Sequence, residues 1–351
     1  PKLIHTLAFI AALTSTGLAA DAYKWSVQYL IDNSQPIEGR SQKKFPRRTR
    51  CLALSPDGRY LYAGYLHSFD GKGELRKIAV DQEDFENATE SVLSGPTCKA
   101  VATDDRGHVY VTDRRGIMVY DASLEEEIHE IIAPNVEGIA LVREGSKLVM
   151  FTSDRSRGNI TRWVLTEDGD RVVDAVPTGF DGTGIFHVPH AMSLRGLKVD
   201  PAGNIWVCDY EAGKVFRVRK DGKDVKDVEI HTPVDLAFDG NRIFVTRGPE
   251  RAITVLDNEM AIVGSLNVPW QELELSMWGN NRSGALTGIV TVPGKGFYVA
   301  NEGGQTADQQ SIYGRADDSA ELIEGRVIRD TKDDDNEPIL KATAVVTTAG
   351  R

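Results

Sequence analysis

With 351 residues, 41 % of them hydrophobic and 26 % charged, the chain has the composition of a folded soluble protein. It is long enough for two ordinary domains or one large closed β architecture. A formal net charge of −11 argues against non-specific nucleic-acid binding, which draws on a basic surface. Three cysteines (Cys51, Cys98 and Cys208) are too few for a disulfide framework. They read either as a Cys51–Cys98 bridge with one thiol left over or as three buried free thiols.

Residues 1–22 differ from the rest. Lys2 precedes the apolar run 7–13, small residues follow, and Ala20-Asp21-Ala22 has the form of a cleavage site, so a secretory signal peptide is expected. A secreted or periplasmic location follows from it. The run is too short to cross a bilayer, and no later stretch approaches about 20 apolar residues, so no membrane span is expected. The remainder, 23–351, reads as one domain.

Trp25, Val27, Tyr29 and Ile31 alternate with polar residues, which predicts a strand; a basic linker covers 41–50. Six hairpins come next. Residues 51–58 turn at Gly58 into 60–63, and 100–107 turn at Gly107 into 109–112. Residues 138–145 turn at Gly145 into 148–151, and 195–203 turn at Gly203 into 205–209. Residues 235–240 turn at Gly240 into 243–246, and 288–296 turn at Gly296 into 297–300. The turn glycines are spaced by 49, 38, 58, 37 and 56 residues. One hairpin cannot bury its own faces, and recurrence at about 40–50 residues with further strands in each unit is the pattern of a β-propeller.

The expected architecture is therefore all-β, a six-bladed propeller of four-stranded blades at about 49–96, 97–134, 135–192, 193–231, 232–285 and 286–351. The strand at 25–31 is expected to join the last blade, whose closing strands are expected at 325–329 and 339–346, on either side of an acidic turn at 333–336. Long insertions at 180–190 and 270–281 are expected to shape a binding face. Sequons at Asn87, Asn159 and Asn281 would lie on the surface.

In such a fold the first strand of each blade lines a central channel, and ligands bind at one mouth. The residues opening each first strand are Arg50, Lys99, Glu137, Arg195, Val234 and Thr287. Those closing each second strand are Tyr65, Asp113, Thr152, Asp209, Arg247 and Asn301, with Glu302 adjacent. Four cations face three anions, a cationic excess that suits an anionic ligand such as a carboxylate or uronic acid, because the arginine fork holds a carboxylate with two bonds. The alternative is that these charges pair among themselves and plug the channel. Substrate-binding candidates are Arg50, Lys99, Glu137, Arg195, Arg247 and Tyr65. His187 and His190 lie in the insertion entering the fourth blade, and imidazole titrates near neutral pH, so they are the candidate catalytic bases. No glycine-rich phosphate loop, nucleophile elbow or His-Glu-x-x-His motif is present.

The hairpin 195–209, followed by Gly213-Lys-Val-Phe-Arg-Val218, resembles an NHL repeat. It is similar to repeats of the six-bladed group that holds gluconolactonase-type lactonases, virginiamycin B lyase and peptidyl-hydroxyglycine lyase, and Val188-Pro-His190 is similar to a Pro-His that opens a repeat in the peptidyl lyases. The resemblance covers about 50–302. The lactonase branch implies a calcium ion; Asp113, Asp209 and Asn301 are the oxygen donors here that match, and Glu137-Gly138 resembles that branch's Glu-Gly in a different blade. The expected function is a secreted propeller that binds an anionic small molecule or glycan fragment at the channel mouth. A lyase or hydrolase step would use His190 or His187 as base and Arg50, Arg195 and Arg247 as carboxylate clamps. The alternatives are a non-catalytic propeller that binds protein or polysaccharide, and a calcium-dependent lactonase.

Overall fold

The computed structural model describes residues 24–25, 47–67, 73–80, 89–248, 250, 252–267, 285–292, 296–302, 311–313 and 316–317. Each expected hairpin opens an antiparallel sheet. The first blade runs Arg47–Leu54, Tyr60–His67, Gly73–Ala79 and Thr89–Ser94, each strand paired to the next. The second runs Val101–Thr103, Val109–Thr112, Gly116–Tyr120 and Glu127–Ile132. The third uses Val136–Glu144, Lys147–Asp154, Asn159–Asp168 and Arg171–Pro177. The fourth is Leu194–Val199, Ile205–Asp209, Lys214–Val218 and Val225–Glu229. The fifth is Pro233–Asp239, Arg242–Arg247, Ala252–Asp257 and Ile262–Asn267.

Among the described residues five blades carry a complete four-strand path, where six were expected. A sixth sheet has three strands among the described residues: Ala285–Val292, Gly296–Glu302 and Ser311–Tyr313. The closing strands expected at 325–329 and 339–346 lie outside the described residues, as do 26–31; Lys24–Trp25 pairs with Ala316–Asp317. The first strands of the six sheets pack against one another in cyclic order, with that of the sixth against both the fifth and the first. They are the wall of a central channel.

The turns explain why these hairpins form. Gly203 takes φ of +85°, a conformation that costs glycine nothing, and its N–H donates to the Asp200 carbonyl at 2.8 Å. The Asp200 carboxylate accepts from the Asn204 N–H (2.8 Å), the Asn204 amide (2.8 Å) and the Trp206 indole (2.9 Å). Asp104 does the same in the second blade for the N–H of Arg106 and His108, the His108 ring (2.8 Å) and the Tyr110 hydroxyl (3.1 Å). The acid before the glycine therefore fixes the turn and anchors the aromatic residue of the returning strand.

Facing blades bury their apolar sides against each other. Trp206 sits with Cys208, Leu236, Ile243 and Val245 between blades four and five. Leu52, Leu61 and Tyr65 pack with Val290, Tyr298 and Ala300, joining the first blade to the sixth sheet. Burial of this kind, about 25 cal/mol per Å² of apolar surface, holds the ring. The three cysteines are buried thiols, and Cys51 donates to the Cys98 carbonyl at 3.2 Å. Asn159 is buried too, which removes one expected surface sequon; Asn87 and Asn281 lie outside the described residues.

The insertion after the third blade corrects another expectation. Ile185–His187 pairs with Asn159–Thr161 on the edge of the third strand that Arg171–Pro177 occupies further along. Residues 178–184 are thus an excursion within an interrupted outer strand. Phe180 and Phe186 stack there (5.4 Å between ring centres) and close over Gly222 of the fourth blade. His187 consequently lies at the outer edge of its blade. Insertion 270–281 lies outside the described residues. Among the described residues no helix is long and apolar enough to cross a membrane.

Candidate functional site

The site begins with a backbone irregularity that repeats around the ring. The pairing of first and second strands slips between Thr49 and Cys51, Val136 and Gly138, Leu194 and Leu197, Pro233 and Leu236, and Leu286 and Ile289. The unpaired positions are those that open the channel: Arg50, Glu137, Arg195 with Gly196, Val234 with Asp235, and Thr287 with Gly288. A bulge re-aims the side chain it carries, so one device delivers five blades' worth of residues to one mouth. In the second blade the N–H groups of Lys99 and Ala100 both donate to the Thr112 hydroxyl, at 2.7 and 3.0 Å, and Thr246 serves Asp235 likewise at 3.0 Å.

Glycine lets these strands close up. A Cβ at Gly138 would stand 2.6 Å from the Arg195 carbonyl oxygen and 2.9 Å from the Leu197 nitrogen; one at Gly288 would stand 2.8 Å from the Leu52 nitrogen.

At the mouth, Glu137 is the centre of charge, with 2 % of its side chain exposed. Lys99 donates to it at 2.9 Å and Arg50 at 3.1 Å, with Arg195 at 3.4 Å and Arg155 at 3.9 Å. Burial pushes its carboxyl up, but Arg50, Lys99 and Arg195 outweigh that and hold it below the usual range. Arg195 also stacks on Tyr210, 5.1 Å from the ring centre. On the same wall lies a second pair: Lys198 Nζ stands 3.4 Å from Asp235 Oδ1. Around these groups is a cavity of about 310 Å³, at the small end of ligand pockets. Its charged lining is Arg50, Lys99, Arg155, Arg195 and Lys198 against Glu137 and Asp235.

The sequence-expected residues divide accordingly. Arg50, Lys99, Glu137 and Arg195 converge on the cavity, with Val234 and Thr287 beside them. Tyr65 does not face it; this side chain is fully buried in the apolar cluster between the first blade and the sixth sheet, under Arg76. Arg247 pairs with Glu250, which also holds His231, and is not part of the lining, although the adjacent Gly248 is. His187 and His190 are exposed and outside the lining; His190, with φ of +61°, sits on the connection into the fourth blade's first strand.

Of the residues matched to a calcium site, Asp209 is already engaged by backbone. Asp209 is buried and its oxygens accept from the N–H groups of Met192 (2.6 Å), Ser193 (3.0 Å) and Ala212 (2.9 Å), so the carboxylate caps its own loops. Asp113 is half-buried beyond the second blade's second strand, and Asn301 lies in the strand Gly296–Glu302. Among the described residues no group of three or more His, Cys, Asp or Glu side chains is placed to hold a metal ion.

Sequence reasoning missed Arg155, Tyr210, Lys198 and Asp235. Arg155 and Tyr210 each stand one position past the end of a second strand, three residues and one residue beyond the ring positions Thr152 and Asp209. Asp235 lies in a bulge and Lys198 follows one, and the extra residues shift the inward alternation and hide both from strand periodicity.

The fold and this lined channel define a β-propeller. No protein-family model and no curated protein matches the sequence. Among solved structures the chain is similar to a catalytically inactive virginiamycin B lyase from Staphylococcus aureus with quinupristin, at 13 % identity and a TM-score of 0.52. That match covers 84 % of this chain and 99 % of the other. The structure of U3-55K matches at 10 % identity with a TM-score of 0.50, covering 83 % of this chain and 84 % of that one. At such identities the likeness is one of fold.

Proposed function

We propose that the chain binds a small anionic molecule carrying a carboxylate at the mouth of the propeller channel. One observation carries this reading: a single buried carboxylate, Glu137, is surrounded by four cations. Lys99 and Arg155 share that one carboxylate, and a cavity lined by more cations than carboxylates attracts anions. The side chains of Lys99 and Arg155 are 35 % and 45 % exposed, so they reach both Glu137 and an incoming ligand. Glu137 orders the cluster and the ligand completes it. A cavity of about 310 Å³ favours a small molecule or a short glycan fragment over a protein surface. Completion of the sixth sheet as a blade, and export directed by residues 1–22, belong to the same proposal.

A second reading adds a lyase or hydrolase step. It is favoured by His190 on the connection that leads directly into Arg195, at the end of the channel where Glu137 stands. The cavity lining itself supplies no imidazole. Asp209, spent on backbone N–H groups, argues against the lactonase alternative.

Calorimetric titration of the full chain with a panel of small carboxylates tests the proposal. Binding should weaken as salt rises and fall about tenfold in Lys99→Met and in Arg155→Met, as loss of one charge-assisted bond implies. A panel that gives neither heat nor thermal stabilisation overturns it. Release of product during the titration, abolished in His190→Ala, would establish the second reading.

A further inference from the structure

Glu137 and its cations do not account for the rest of the cavity. Lys198 and Asp235 line it as well, Lys198 three positions beyond Arg195 on the same strand, roughly 10 Å along the channel wall. Asp235 is 8 % exposed. Its Oδ2 accepts from the Ile289 N–H of the sixth sheet at 3.2 Å, while Oδ1 receives no hydrogen bond. Lys198 Nζ faces Oδ1 at 3.4 Å, an ion-pair distance without hydrogen-bond geometry. Room for the carboxylate is made by Gly196, where a Cβ would fall 2.2 Å from Oδ1. A buried carboxylate oxygen left without a donor is an unusual feature in a folded protein and wants a partner.

We infer that Lys198 and Asp235 form a second polar subsite, and that the ligand is a hydroxylated carboxylic acid. The inference rests on the anion-binding reading above. A hydroxyl both donates and accepts, so it satisfies Asp235 Oδ1 and Lys198 Nζ together. An ammonium in the same place has no acceptor for Lys198 and meets it as a like charge, which disfavours amino acids. A bare alkyl chain leaves Oδ1 without a donor. Burial also pushes the Asp235 carboxyl above its ordinary range, against the opposing charge of Lys198.

Three six-carbon probes separate the two subsites: glucuronate (acid and hydroxyls), hexanoate (acid alone) and glucose (hydroxyls alone), each titrated into the full chain. Glucuronate is expected to bind at least about tenfold more tightly than hexanoate, with glucose weakest, about the worth of one well-made hydrogen bond. In Lys198→Met and in Asp235→Asn, hexanoate affinity should stay within about twofold while the glucuronate advantage collapses. Two variants are used because Asp235 also holds the Ile289 N–H, whereas Lys198 is partly exposed. A glucuronate advantage unchanged in both variants, or no advantage in the parent chain, overturns the subsite. If neither acid binds, the anion reading itself fails and the subsite falls with it; if hexanoate binds and glucuronate gains nothing, only the subsite falls.

Discussion

Glu137 in the third blade and Asp209 in the fourth are both buried acids at the same end of the propeller, and they have opposite fates. Asp209 is surrounded by backbone: three N–H groups from the two loops of its own blade fill its oxygens. Glu137 is surrounded by side chains: cations from the first, second and fourth blades reach across the channel to it, together with Arg155 of its own. One carboxylate fixes a loop and has nothing left for a ligand. The other gathers positively charged heads, two of them partly exposed. Buried charge by itself does not mark a site; the identity of the groups that compensate it does.

The most severe way to break this contrast is Glu137→Gln. Removing one member of a buried ionic cluster costs about 3–5 kcal/mol, and urea denaturation should show that loss. Added carboxylate should recover part of it, since the cations remain. The sign with pH follows from the lowered carboxyl. Its stabilisation is present above its unfolded pKa of 4.5 and is lost as pH falls through the lower folded value, so the substitution should flatten the acid limb of the stability curve.

Asp209→Ala should cost about 2–3 kcal/mol by leaving three N–H groups without acceptors, yet leave carboxylate affinity within about twofold. A large loss of affinity there would erase the contrast. Gly138→Ala places a methyl group against the Arg195 carbonyl and the Ser153 hydroxyl, at 2.6 and 2.8 Å, and should cost about 1–3 kcal/mol while weakening ligand binding, because the first strands of blades three and four must part.

The turn end of the second blade responds to pH in the other direction. The hydrogen bond to Asp104 lifts the His108 pKa, against burial. A histidine raised on folding stabilises fully below its unfolded pKa of about 6.5, and that contribution is lost as pH climbs through the folded value. His108→Asn should remove this slope in thermal melts between about pH 6 and 8 and leave the mouth unaffected. The smallest effect belongs to His190→Ala: under about 0.5 kcal/mol in stability, as for exposed side chains generally, and no change in anion affinity. A tenfold drop in affinity would move the centre of the site from Glu137 to the connection between blades.

Much of this was legible from residue order. Turn glycines followed by aromatic or β-branched strands announced the hairpins, and aligning the hairpins on those glycines placed Arg50, Lys99, Glu137 and Arg195 in one ring. What failed did so for local reasons. Tyr65 lies inside the strand Tyr60–His67, whereas Asp209 ends its own, and the bulk of Tyr65 is taken into the seam with Tyr298, where an aromatic ring gains more by burial than at the mouth. His187 was displaced because its insertion continues an outer strand. Lys198 and Asp235 were invisible because a bulge shifts which residues point inward, and bulges leave little trace in a hydrophobic pattern.

The seam at Gly288 gives the site a history in time. The first blade leaves the ribosome long before the sixth sheet, and blades two to five find their partners as they emerge, each beside the one just made. Arg50 has no such neighbour on its other flank until residues 285–302 arrive and Gly288 settles against Cys51 and Leu52. The last described wall of the cavity to be translated is therefore what locks the first in place. A chain stopped before that point would carry every cation of the described lining and no closed pocket to put them in.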